Sequence, residues 1–156
     1  MKINELVKVK KFRDDWHKAT INIIYTNSWI VKNLEQRANK KEITLQQFNV
    51  LRILRGQYPK AASNNLLKER MINSTPDISR LVDRIVAKGL VMRTKNIRDK
   101  RSVDLEITEK GLQLLDEIEE DMMLTDLVNS NITEQEALQL SNLLDKFRGA
   151  NNGIDE

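Results

Sequence analysis

The stretch from Ser74 to Gly111 limits the possible fold most, because within it the spacing of apolar residues changes from a helical period to a strand period. Ile78, Leu81, Val82, Ile85 and Val86 recur at i, i+3, i+4, i+7 and i+8, the stripe of a helix that must bury one face. Pro76, Ser79, Arg80, Asp83 and Arg84 occupy the opposite, polar face. Two helix starts fit these residues. Ser74 with Asp77 three positions on makes a capping-box-like pair, whereas Thr75 as cap would put Pro76 at the first helical position, where a missing N–H costs nothing. Gly89, behind Lys88, supplies a left-handed stop that reverses the chain.

Beyond Gly89 the period is 2. Leu90, Met92 and Thr94 alternate with Val91, Arg93 and Lys95, and Val103, Leu105 and Ile107 alternate with Asp104 and Glu106, so two strands flank Asn96 to Ser102. An antiparallel register that brings Arg93 and Lys95 near Asp104 and Glu106 on the outer face is expected, since opposite charges across strands favour it. Lys88, Arg93, Lys95, Arg98, Lys100 and Arg101 stand against one acid, Asp99, in this span. A tip so basic repels itself, and beside a polar-faced helix it reads as a surface for a polyanion rather than a solvated loop. Helix, basic hairpin and helix in that order make a winged helix.

These residues resemble the MarR family of bacterial transcriptional regulators. Asp99-Lys100-Arg101 matches the Asp-x-Arg of that family's wing, Val103-Asp104-Leu105-Glu106 its alternating strand, and Ile107-Thr108-Glu109-Lys110-Gly111 its Leu-Thr-x-x-Gly helix start, with Ile107 where Leu is commoner. Ser79 to Arg84, Lys88 to Val91 and Ile43 to Leu54 are similar to the family as well, while the tip departs from it in lacking proline and carrying Ile97. The resemblance implies that Arg101 inserts into a DNA groove with Asp99 positioning it. It also implies a homodimer whose first and last two helices interleave with a second subunit. A small anionic or phenolic effector between those helices and the winged domain is implied too, and Trp16, His17 and Phe48 are the candidate pocket residues. For Trp16, as for Tyr25 and Trp29, core packing is the competing reading, because large aromatics mostly supply buried area.

Composition narrows the function classes. With 156 residues and 40% apolar content the expectation is one domain or one compact subunit, with a core that a partner completes. No apolar run of membrane length and no signal-peptide pattern at Met1-Lys2-Ile3-Asn4 are present, so a cytoplasmic location is expected. Zero cysteines remove disulfides and thiolate chemistry, and one histidine, His17, cannot build a zinc site without several carboxylates. With no glycine-rich phosphate loop either, neither catalysis nor a cofactor is expected. Net charge is +3, but residues 1 to 111 hold 24 basic and 12 acidic side chains, whereas 112 to 156 hold 2 and 11. Such a two-ended chain turns its basic part to a polyanion and keeps the acidic part away.

The remaining elements follow in order. Residues 1 to 11 have no clear cap; from Phe12 a long helix is expected to about Lys41, with Phe12, Trp16, Ala19, Ile23, Ile30 and Leu34 on one side and Ile21, Ile24, Tyr25 and Trp29 off that stripe. An apolar surface on more than one face points to contact with a second subunit. Thr44 and Gln47 form a capping box before Leu45, Phe48, Leu51 and Leu54, and the helix stops near Gly56 to Pro59. Ser63 caps a helix to Met71 with Leu66 and Met71 inward, and Ile72-Asn73 turns into the polar-faced helix, giving helix-turn-helix. Thr108 caps a helix carried to about Val128, and Thr133 with Glu136 caps another that stops at Gly149. The fold class expected is mainly α with a small β-hairpin wing. Residues 1–41 form a dimerisation helix, 42–108 the winged helix-turn-helix domain, 109–149 the last dimerisation helices and 150–156 a disordered tail.

The expected function is sequence-specific binding of double-stranded DNA by a ligand-responsive repressor, a dimer on an inverted-repeat operator. Ser74, Thr75, Pro76, Ser79 and Arg80 would lie nearest the base edges, with Arg84 toward phosphate. Lys95, Arg98, Asp99, Lys100 and Arg101 would form the wing contact, where a narrow minor groove favours arginine. Asp83, an anion on the same face, is expected to orient a neighbouring arginine. A winged helix used for protein docking, or an architectural DNA binder without operator specificity, remains the alternative.

Overall fold

A computed structural model describes residues 2–71, 77–96 and 102–150. The turn at Ile72-Asn73, the helix start at Ser74 to Pro76, the wing tip from Ile97 to Arg101, and residues 151–156 of the tail lie outside the described residues. Eight helices and one two-stranded sheet are described: α1 (Ile3–Leu6), α2 (Asp15–Lys40), α3 (Leu45–Arg55), α4 (Asn64–Arg70), α5 (Ile78–Ala87), β1 (Val91–Lys95), β2 (Val103–Ile107), α6 (Glu109–Met122), α7 (Thr125–Val128) and α8 (Glu134–Phe147). The chain divides into two compact units, residues 1–122 and 123–156. Among the described residues no helix is long and apolar enough to cross a membrane.

Capping chemistry sets most of the boundaries. Thr44 and Gln47 close the capping box of α3, Ser63 Oγ accepts from Leu66 N–H at the start of α4, and Thr133 with Glu136 caps α8. Gly89 has φ +71, and behind it the Leu90 N–H reaches back to the Ile85 carbonyl at 3.2 Å, the six-to-one bond that ends α5. The core of the first unit gathers Val50, Leu51 and Leu54 of α3, Leu67 of α4, Val82 and Ile85 of α5, Leu105 of β2, and Leu115 and Ile118 of α6, all at most 2% exposed.

Several expectations are corrected. The long helix starts at Asp15 rather than Phe12, because the Asp14 carboxylate accepts the His17 N–H at 2.8 Å and fixes the first turn there. Within α4 it is Leu67 that is fully buried, while Leu66 is only partly so. The helix after the wing ends at Met122 instead of running to Val128, since Leu124 takes a left-handed conformation (φ 57) and α7 starts afresh at Thr125.

The hairpin register also differs. Val91 pairs with Ile107, Arg93 with Leu105 and Lys95 with Val103, so the two cations share the face of the apolar strand residues, and Met92 lies opposite Glu106 instead. The phase is set by Val91, 2% exposed, while Leu90 belongs to the turn after the helix, where its carbonyl accepts the Thr108 N–H. A one-residue shift of this kind moves every side chain to the other face.

Candidate DNA-recognition surface

Helix α5 carries the polar face that the sequence picks out. Asp77 is its N-cap and Ile78 its first helical residue, with Asp77 Oδ1 accepting the Arg80 N–H at 3.0 Å. A carboxylate in this place satisfies a free N–H and meets the positive end of the helix dipole, which is why Asp77 serves as the cap rather than as the third residue of a capping box. Ile78, Val82 and Ile85 are buried, Leu81 and Val86 are partly buried against the core, and Ser79, Arg80, Asp83 and Arg84 are exposed.

Three contacts hold this helix against the rest of its unit. The Lys88 ammonium donates to the Glu42 carbonyl at the end of α2, Lys110 Nζ donates to the Lys88 carbonyl at 2.9 Å, and the Arg93 guanidinium of β1 pairs with Asp83. Lys88 and Lys110 lie at the carbonyl end of α5, where positive charge matches the dipole, and Lys110 satisfies the carbonyl of its C-cap residue Lys88. Asp83 thus orients an arginine, as its sequence context suggests, and that arginine comes from the wing strand. Behind it, Thr108 Oγ1 donates to the Gly89 carbonyl at 2.8 Å and accepts the Gly111 N–H at 3.2 Å, joining the turn after α5 to the first turn of α6.

Of the candidate DNA contacts, Ser79, Arg80, Arg84 and Lys95 are described, and all four are exposed. Arg80 is engaged by Asp77, with Nε 2.9 Å from Oδ2, a pair that follows from the capping role of Asp77. Ser74, Thr75, Pro76, Arg98, Asp99, Lys100 and Arg101 lie outside the described residues. The three candidate pocket residues are separated by environment. Trp16, 79% exposed, and His17 line a surface hollow of about 330 Å³ with Arg13 and Thr20, and His17 meets Phe12 edge-on at 5.7 Å. Phe48 is a core residue, its ring 5.8 Å beneath the Arg52 guanidinium. Among the described residues no group of three His, Cys, Asp or Glu side chains is placed to hold a metal.

Residues 43–103, which span this helix-turn-helix and most of its hairpin, match the model of the MarR family. The chain carries a MarR-family domain. It is 28% identical over 133 residues to the HTH-type transcriptional regulator FarR of Neisseria gonorrhoeae, a match covering 81% of this chain and 87% of that protein. A MarR transcription factor from Planctomyces limnophilus shares the fold with a TM-score of 0.67 at 28% identity, covering 86% of this chain and 98% of the other. A MarR-like protein from Bacillus cereus ATCC 10987 superposes with a TM-score of 0.77 over 88% of this chain and 99% of its own, and at 24% identity it speaks for the fold alone. Over residues 43–103 the chain is thus similar to MarR-family transcriptional regulators, and its fold is that of their winged helix.

Proposed function

We propose that this MarR-family regulator is a homodimeric repressor that grips an inverted-repeat operator with one α5 per half-site and lets go when a small anionic or phenolic effector binds. The observation that carries the reading is the division of α5, with Ile78, Val82 and Ile85 buried and Ser79, Arg80 and Arg84 turned to solvent. A helix so held presents its N-terminal polar residues to a major groove while its apolar stripe keeps it seated. Arg84 serves a phosphate; Lys95 and the wing residues Arg98, Lys100 and Arg101 serve the flanking minor groove and its backbone, with Asp99 positioning Arg101.

Residues 1–41 and 109–149 supply the dimer contacts around the DNA-binding part, 42–108. Support comes from apolar side chains left in water on two helices, each taken by itself. On α2 these include Trp16, Ile24 and Trp29, at 79%, 56% and 39% exposure, and on α8 Leu138, Leu143 and Phe147, at 61%, 64% and 52%. Apolar surface of that extent on a soluble chain marks an interface. Trp16 and His17, which share a hollow, are the candidate effector contacts.

Selection of duplexes from a random pool tests the reading. An inverted repeat with half-site centres about one helical turn apart, roughly 10 bp, is expected from a two-fold dimer. A single non-palindromic half-site, or a monomer by sedimentation at micromolar concentration, would count against it. A phenolic carboxylate should then weaken binding to the selected duplex, and less so for Trp16→Ala. If no salt-sensitive duplex binding is found at all, the protein-docking alternative takes its place.

A further inference from the structure

We infer that Asp77 is a positioning residue that presets Arg80 to read a guanine; the inference rests on the reading of α5 as the major-groove helix. Both carboxylate oxygens of Asp77 are engaged by one residue three positions on: Oδ1 takes the Arg80 N–H at 3.0 Å and Oδ2 lies 2.9 Å from its Nε. The side chain of Arg80 is nevertheless 82% exposed. With Nε beside Oδ2, the far edge of the guanidinium, made by its two terminal nitrogens, is left for another partner. They form a planar pair of donors whose spacing matches O6 and N7 on the major-groove edge of guanine. Adenine offers a donor in place of O6, so the same fork rejects it.

A surface pair of this kind adds little to stability, so its consequence lies in orientation. A long side chain already fixed at Nε loses less freedom when its far end is captured, which raises the preference for the base it fits. The carboxylate's negative charge, at the N-terminus of the helix read as entering the groove, also opposes binding to any duplex that does not engage Arg80. Asp77 thereby sharpens selectivity from both directions, by aiding the matched sequence and by penalising the rest.

The experiment takes the duplex recovered by the full chain, varies each position through all four bases, and measures binding of the wild type, Asp77→Asn, Arg80→Ala and the double variant. Asparagine keeps the helix cap, so far-ultraviolet circular dichroism should be unchanged. One guanine per half-site is expected whose replacement weakens the wild type about tenfold, a preference cut to roughly threefold in Asp77→Asn and lost in Arg80→Ala. The double variant should match Arg80→Ala at that position, and Asp77→Asn should bind scrambled duplex as well as the wild type or better. Full guanine preference in Asp77→Asn would reduce Asp77 to a cap and overturn the inference, as would a base other than guanine at the position that Arg80→Ala relaxes. If Arg80→Ala relaxes no position, the reading of α5 itself fails, a distinguishable result.

Discussion

Gly111 in the first turn of α6 offers the sharpest test of how the wing is packed. A Cβ there would lie 2.4 Å from the Leu90 carbonyl oxygen and 2.7 Å from Ile107 Cγ1. Neither obstacle is free to retreat: the Leu90 carbonyl already accepts the Thr108 N–H at 3.1 Å, and Ile107 is paired with Val91 across the hairpin. Alanine in place of glycine within a helix ordinarily gains about 1 kcal/mol. Overpacking costs about 1–3 kcal/mol, and an obstacle made of backbone puts the cost at or beyond the upper end. Gly111→Ala should therefore lose about 2 kcal/mol net. Gly56 is the control. Its backbone is right-handed helical (φ −66, ψ −12) and a Cβ would meet only the Ile53 and Arg52 carbonyls, at 3.5 and 3.6 Å. Gly56→Ala should gain about 0.4–1 kcal/mol, mainly by restricting the unfolded chain. Urea unfolding of both variants at one fixed protein concentration measures the pair, since association makes apparent stability concentration-dependent. A Gly111→Ala protein as stable as the wild type would refute the reasoning, because a carbonyl at 2.4 Å leaves no low-cost adjustment.

Ile85→Ala, at a fully buried position of α5, should cost about 2–5 kcal/mol, and an unchanged urea midpoint would mean that the stripe is not the seat of that helix. Glu119 has its carboxyl held below the ordinary glutamate range, first by the side-chain hydrogen bond from Arg55 and then by that cation's charge. A depressed value stabilises the fold above the pKa of the unfolded chain and is lost as pH falls through the folded one, so the gap between wild type and Glu119→Gln should close on acidification. A gap that stays constant from neutral to strongly acid solution would show that the carboxylate's charge contributes nothing. Arg101→Ala should weaken binding to all duplexes alike and shallow the salt dependence by up to about one unit, and an unaltered slope would place the wing off the DNA.

How much was legible beforehand depends on whether the information was local. The caps at Thr44, Ser63 and Thr133 and the stop at Gly89 are set by residues within five positions of each other, and the sequence shows them directly. The apolar stripe of α5 is likewise local. The phase of β1 is not, because Leu90 and Val91 are both apolar and both buried, so alternation fits either phase until the hairpin and the Thr108 turn decide. The end of α6 carries no glycine or proline, and only the left-handed Leu124 reveals it. At the start of α5 an aspartate suits either the cap or the far member of a capping box, and the hydrogen bond from the Arg80 N–H makes Asp77 the cap. Phe48 is buried in the core, as its place on the apolar stripe of α3 indicates.

The charge division along the chain takes on a different meaning once side chains are paired. Counted by sequence, the acids of residues 112 to 156 form a pole apart from the basic remainder, yet Asp116, Glu117 and Glu119 sit on α6, inside the first compact unit. There Lys41 Nζ meets Glu117 at 2.7 Å, and Arg55 pairs with Glu119 through two hydrogen bonds while lying 3.7 Å from Asp116. Lys41, just past α2, and Arg55 at the end of α3 are thus engaged with α6. On the recognition side, Asp77 and Asp83 likewise neutralise Arg80 and Arg93. Among the described residues of α5 and the hairpin, Arg84 and Lys95 are the exposed cations without such a partner, so on the proposed reading the salt-dependent attraction rests on them together with the wing residues Arg98, Lys100 and Arg101. On that reading, so few uncommitted charges should leave binding to scrambled sequence weak, with selectivity resting on the oriented arginine of α5 more than on the bulk charge of the chain.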